Sequence, residues 1–216
     1  MHDTTRKLMA MILATSAISL IGCADINNPT AVFNTGTTEV SAEEATTDSA
    51  YDMFTAENDC TAFGSMSDGV IIIDGYSCQL GSSTMKDMIN DGWTLVNSDV
   101  DDMLSAQSSS EYIMSKGGSS VIVTVQNEYN NALKAVVLPI TEVYEQSDIS
   151  DGLITINNMT VLNMYEPNFK FAFGDANVSY KMKRSTMGTD YYSIGDYTFG
   201  IFYDVDGIIT ELMFSK

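Results

Sequence analysis

The sequence predicts an α+β fold of two tandem small units, each a short helix packed on an antiparallel sheet. Three observations lead there. Ser67-Asp68-Gly69-Val70-Ile71-Ile72-Ile73-Asp74-Gly75 lines up with Ser150-Asp151-Gly152-Leu153-Ile154-Thr155-Ile156-Asn157-Asn158, so an apolar strand ending in a turn occurs twice. Thr84 and Asp87 have capping-box spacing ahead of Met85, Met88 and Ile89, which share one helical face. The chain closes in alternating runs separated by glycine turns, the pattern of a meander.

The elements follow in order. Asp74-Gly75 supplies the two positive-φ residues of a type I′ hairpin, and Asn157-Asn158 can do the same in the second unit. The capping box starts a helix over 84–91, and Gly92 suits the left-handed position that ends it. Strands at 111–114 and 121–125 flank the turn Lys116-Gly117-Gly118-Ser119, and a strand over 135–143 follows. In the second unit Pro167 suits the first turn of a helix, while Phe169, Phe171 and Phe173 alternate as in a strand; the repeat favours the helix. Strands at 191–193, 197–203 and 208–214 complete the meander, with turns at Gly195-Asp196 and Asp206-Gly207.

Ahead of these units the texture differs. Residues 1–22 read as an export signal: Arg6-Lys7, then an apolar run too short for the roughly 20 residues a membrane span needs. Residues 23–58 are rich in Thr, Ala, Asn, Glu and Ser and read as a disordered acidic tether, with a short helix conceivable near 49–56. The first unit is then 59–145 and the second 146–216.

Composition removes whole classes of chemistry. Cleavage after residue 22 takes away the sole histidine, His2, with Asp3, Arg6 and Lys7, leaving 8 bases against 28 acids. Without histidine there is no Ser-His-Asp or Cys-His nucleophile and no ordinary catalytic zinc site. A glycosidase needs only two carboxylates, so carboxylate chemistry stays open. Ten acids and no base lie between Cys23 and Met85, a surface that repels nucleic acid. No phosphate loop, CxxC pair or dinucleotide fingerprint occurs, so no cofactor is expected. Asp99, Asp101 and Asp102 suggest calcium, but an EF-hand counted from Asp99 would need glycine and glutamate where Leu104 and Ser110 stand, so no metal is assigned.

Three further features bear on function. Cys60 and Cys78, in an oxidising compartment, could form a disulfide whose loop closure contributes roughly 3 kcal/mol. Tyr191, Tyr192, Tyr197 and Tyr203 lie on the final meander, where outward-pointing members could form a recognition face. Lys181, Lys183 and Arg184 are the mature chain's one basic cluster, either a solvated loop or a dock for an anionic polymer.

Leu20-Ile21-Gly22-Cys23 resembles the lipobox of bacterial lipoproteins. The resemblance implies diacylglycerol on Cys23, cleavage before it, and a protein tethered to the cell membrane or the outer membrane on its extracytoplasmic face. The tandem arrangement, carried by the Asp74-Gly75 hairpin, the 84–92 helix and the closing strands around Asp206-Gly207, resembles β-lactamase-inhibitor-protein-like repeats. It is also similar to lipoproteins of Gram-positive bacteria. The repeat resemblance implies binding rather than catalysis. With the missing histidine, the tether and the small units, the expected function is a non-catalytic binding module for an envelope protein or cell-wall polymer; the alternative is a carboxylate-dependent hydrolase of extracellular glycan.

Overall fold

Two-residue turns and period-two alternation make strand the commonest regular element among the described residues. The computed structural model describes residues 50–216. In order these form β1 (Tyr51–Thr55), a 3-10 segment (Thr61–Asp68), β2 (Val70–Ile73), β3 (Tyr76–Gln79), α1 (Met85–Asn90), β4 (Thr94–Leu95), β5 (Met103–Leu104), β6 (Ser108–Lys116) and β7 (Ser119–Asn127). They continue as β8 (Leu133–Lys134), a 3-10 turn (Ala135–Val137), β9 (Ile140–Gln146), β10 (Ile154–Ile156), β11 (Met159–Thr160), α2 (Glu166–Phe173), β12 (Val178–Met182), β13 (Gly188–Ile194), β14 (Tyr197–Tyr203) and β15 (Ile209–Ser215).

Local chemistry accounts for the boundaries. Asp74 and Gly75, at φ 47° and 78°, turn β2 into β3, and Asn157 and Asn158, at 51° and 63°, turn β10 into β11. Thr84 and Asp87 form a complete capping box at the start of α1: the Asp87 amide donates to Thr84 Oγ1, and the Thr84 amide donates to Asp87 Oδ2. Residues 166–173 are helix, with Pro167 in the first turn, because Phe169 and Phe173 fall four apart on the buried side while Phe171 stays 95% exposed.

The expected α+β arrangement, a helix on its own small sheet in each of two units, is overturned. The structure is mostly antiparallel β, with α1 and α2 only six and eight residues long. Nine strands form a single sheet in the order β1-β12-β13-β14-β15-β9-β7-β6-β4, and a second sheet runs β11-β10-β2-β3. The order hairpin, helix, strands does occur on both sides of residue 150, but β15 pairs with β9 and β10 with β2, so each sheet is shared. The physical reason is the strand edge: separate units would leave β9 and β15 with unpaired N–H and C=O groups, and joining them satisfies both.

Two smaller expectations also change. The chain at 135–143 is not one strand: Ala135–Val137 winds as a 3-10 turn, and Pro139, which cannot donate to a ladder, separates it from β9. Part of the segment read as tether is ordered. Tyr51–Thr55 pairs along β12 from Tyr51↔Met182 to Thr55↔Val178, with every side chain exposed.

One face of the nine-strand sheet carries the core. Its inward residues pack against α1, α2, the Thr61–Asp68 segment and the four-strand sheet; Val123, Val143, Tyr192, Phe199, Leu212 and Phe214 are fully buried there. Among the described residues no helix is long and apolar enough to cross a membrane.

Candidate functional site

Alternation along each strand gives the nine-strand sheet a second face, where Ile113, Ile122, Tyr144, Tyr191 and Phe202 are half-buried. The pairing register draws a single row across that face. Val178 stands opposite Tyr191, Tyr191 opposite Gly200, Gly200 opposite Met213, Met213 opposite Tyr144, Tyr144 opposite Ile122 and Ile122 opposite Ile113. The row is apolar from β12 to β6. The Tyr191 ring lies over Gly200, where an added Cβ would come within 3.2 Å of it, so the glycine makes room for the ring.

Rings beside the row extend it. Tyr180–Tyr191, Tyr191–Phe202 and Phe202–Tyr144 meet edge to face at centroid separations of 6.2, 6.2 and 6.5 Å, a series running from β12 to β9. Along one flank the register places Ser193, Thr198, Ser215, Glu142, Thr124 and Glu111 in a polar line. On the other flank the Tyr144 hydroxyl donates to Glu211 Oε2 and receives a hydrogen bond from Gln146 Nε2 at 3.0 Å. An apolar aromatic stripe with a polar rim is the composition of a recognition surface.

Partial burial sets the protonation of its carboxyls. Burial, then the nearby Glu111 charge, holds Glu142 above the usual carboxylate range. Burial likewise raises Glu211, against the hydrogen bond from Tyr144. A carboxyl raised in the folded state supports the fold below its unfolded pKa, and that support is lost as pH climbs through the folded value. Glu142→Gln is therefore expected to raise the melting temperature at neutral pH and to flatten its decline from mildly acidic to neutral pH. Thermal scans across that range with the wild-type slope would contradict this.

The four tyrosines named from the sequence do not form one face. Tyr191 alone joins the open stripe. Tyr192 points inward and is wholly buried against Phe63 and Phe169, at 5.1 and 5.5 Å. Tyr203 is buried with its hydroxyl 3.4 Å from Asp190 Oδ1, and Tyr197 lies against Phe214 and over Gly69. Alternation separates Tyr191 from Tyr192, and Tyr197 and Tyr203 share the inward parity of β14 with Phe199. Tyr180, Phe202 and Tyr144 were missed because only the register shows that they meet.

The expected Cys60–Cys78 bridge is not formed: both cysteines are buried free thiols. Cys60 Sγ donates to Asn177 Oδ1 at 3.4 Å, beside β12, whereas Cys78 sits on β3, the far edge of the four-strand sheet from β11. Burial pushes the Cys78 thiol up to about 12 and also raises Cys60, so neither is a ready nucleophile. Cys23 lies outside the described residues.

The basic cluster is also divided. Lys181 points inward, its Nζ 3.5 Å from Glu166 Oε1 and 5.8 Å from the Tyr203 ring centre, while Arg184 holds the turn after β12 at φ 63°. Lys181 belongs to a buried ionic group. Lys170 Nζ stands 2.7 Å from Glu166 Oε1 and 3.0 Å from Asp190 Oδ2, and Asp190 has no exposed surface. Burial works against the Lys170 ammonium, but Glu166 and Asp190 outweigh it and hold the group above its ordinary value. The Ser179 hydroxyl also donates to Asp190 Oδ1.

A cavity of about 240 Å³ opens beside this group, lined by Phe54, Lys170, Asp175, Ser179 and Lys181 among others. An open depression of about 690 Å³ lies at Ala56–Asp59 and Asn177, with Glu57 and Asp59 on one short loop rather than facing across a cleft. No family model, curated protein or solved structure matches the chain.

Proposed function

We propose that this protein is a lipid-anchored extracytoplasmic lipoprotein acting as a non-catalytic binding module, and that the open face of its nine-strand sheet receives an envelope protein. The observation behind this reading is the edge-to-face series Tyr180, Tyr191, Phe202 and Tyr144 along a register row that is apolar from β12 to β6. Rigid aromatic rings give large contact area at low conformational cost, and the Ser, Thr and Glu positions beside them supply a polar rim. The lipobox-like Leu20-Ile21-Gly22-Cys23 supports the anchor, and the absence of histidine after His2 supports binding over catalysis.

The test has two parts. Cys23→Ala is expected to leave the precursor uncleaved and without lipid by intact mass; an unmodified Cys23 on wild-type protein from the native host removes the anchor. For the face, a photo-cross-linker at Ser193 or Thr198 in host cells is expected to yield an adduct of one discrete protein mass. Tyr191→Ala should reduce that adduct at least several-fold while circular dichroism stays unchanged. A heterogeneous polymer adduct would move the reading to a wall polymer. Loss of glycan turnover on substituting one carboxylate would replace it with a hydrolase.

A further inference from the structure

We propose that Lys170 and Asp190 condense to an intramolecular amide that staples α2 to β13, with Glu166 as the proton relay. The three groups stand in reacting order. Lys170 Nζ lies 3.0 Å from Asp190 Oδ2 and 2.7 Å from Glu166 Oε1, and the three side chains are 20%, 0% and 10% exposed. Reacting groups held at such separations gain the rate advantage of an intramolecular reaction. Asp190 Oδ2 and Glu166 Oε1 are buried oxygens that face ammonium groups, Lys170 for both and Lys181 for Glu166 as well.

The other carboxylate oxygen is prepared differently. Asp190 Oδ1 faces the hydroxyls of Ser179 and Tyr203, both donors, and Ser179 and Tyr203 are themselves buried. These are the donors that a negative charge developing on Oδ1 requires. Tyr192 and Phe169, both fully buried, pack on each other at 5.5 Å.

The step balances without any co-reactant. One proton passes within the ion pair from Nζ to Oδ2, giving an amine and a carboxylic acid. The Nζ lone pair attacks Cγ, and the charge that appears on Oδ1 is held by the two hydroxyls. Glu166 takes a second proton from Nζ and delivers it to Oδ2. The Cγ–Oδ2 bond breaks, Oδ1 returns to a carbonyl, and one water leaves by the cavity that Lys170, Ser179 and Lys181 line. The buried ammonium and carboxylate become a neutral amide, which removes their desolvation cost. Glu166 keeps a partner in Lys181, 3.5 Å away, so the product state is charge-balanced.

Intact mass of the purified full chain tests this. The expected mass is one water below that of the same processed sequence without a cross-link, and a digest should contain a branched peptide joining Lys170 to Asp190. Lys170→Arg keeps the charge and should restore the full mass. Glu166→Gln leaves both reactants in place and should lower the yield of the branched peptide at least tenfold. A wild-type chain at full mass overturns the proposal, as does water loss that persists in Lys170→Arg. A branched peptide at wild-type yield in Glu166→Gln overturns the relay.

Discussion

Replacing Glu145 with alanine is expected to lower the unfolding free energy by about 3–5 kcal/mol, since each buried donor left unpaired costs about 1–3 kcal/mol. Glu145 points inward from β9 and has no exposed surface. Its carboxylate accepts the Ser150 hydroxyl and the Leu153 amide through Oε1 and the Ile154 amide, at 3.2 Å, through Oε2. These donors lie where the chain leaves the nine-strand sheet and enters β10. One side chain thus holds the crossover, while the Ser120 amide fixes its other side by donating to Ile149 O at 2.8 Å. Glu145→Leu should be nearly as damaging, because it fills the space but leaves the same amides orphaned. Glu145→Gln keeps one acceptor oxygen and should fall between. Urea unfolding measures all three; a loss below about 1 kcal/mol for the alanine variant would contradict this account.

Phe63→Ala is expected to cost a similar amount, about 3–5 kcal/mol, the range for emptying a buried phenylalanine site. Phe63 comes from the 3-10 segment before β2, yet its ring sits among Phe173, Tyr192, Phe199 and Phe169, at 5.0, 5.1, 5.7 and 6.2 Å. Every one of those partners is contributed by residues after 165. The site cannot collapse easily, because the rings around it also pack on each other, Phe169 and Phe173 at 4.5 Å. Phe63→Leu should recover about half the loss. Both C-terminal and N-terminal probes should report the same midpoint shift if the two sides unfold together. A shift confined to probes before residue 150 would show that the ring matters only locally.

What the sequence made legible was local. The Asp74-Gly75 and Asn157-Asn158 turns, the Thr84–Asp87 capping box and the alternation of β14 are each set by neighbours a few residues apart. Joining the sheets is not local. Whether β9 pairs with β15 or faces water depends on edges that no periodicity records, and this is why the α+β expectation failed. Strand β12 escaped notice for a different reason. Ser179 and Lys181 point inward at Asp190 and Glu166, while Val178 and Tyr180 point outward, so the usual polar-out pattern is reversed. The same reversal hid the candidate sites. The buried ionic group looked like part of a basic loop, and the open aromatic row is assembled from single residues on separate strands.

The sharing of both sheets has a consequence for the chain as it is made. Synthesis delivers β2 well before its partner β10, and β9 well before its partner β15. Until then β2 has a partner only in β3 and β9 only in β7, so one edge of each stands open. Neither carries a proline or lysine within the strand to blunt it. A nascent or truncated chain ending near residue 150 therefore carries two adhesive edges, and β9 on one such chain can pair with β9 on another. Holding the chain apart until its C-terminal strands arrive is a task for whatever accompanies it from the ribosome.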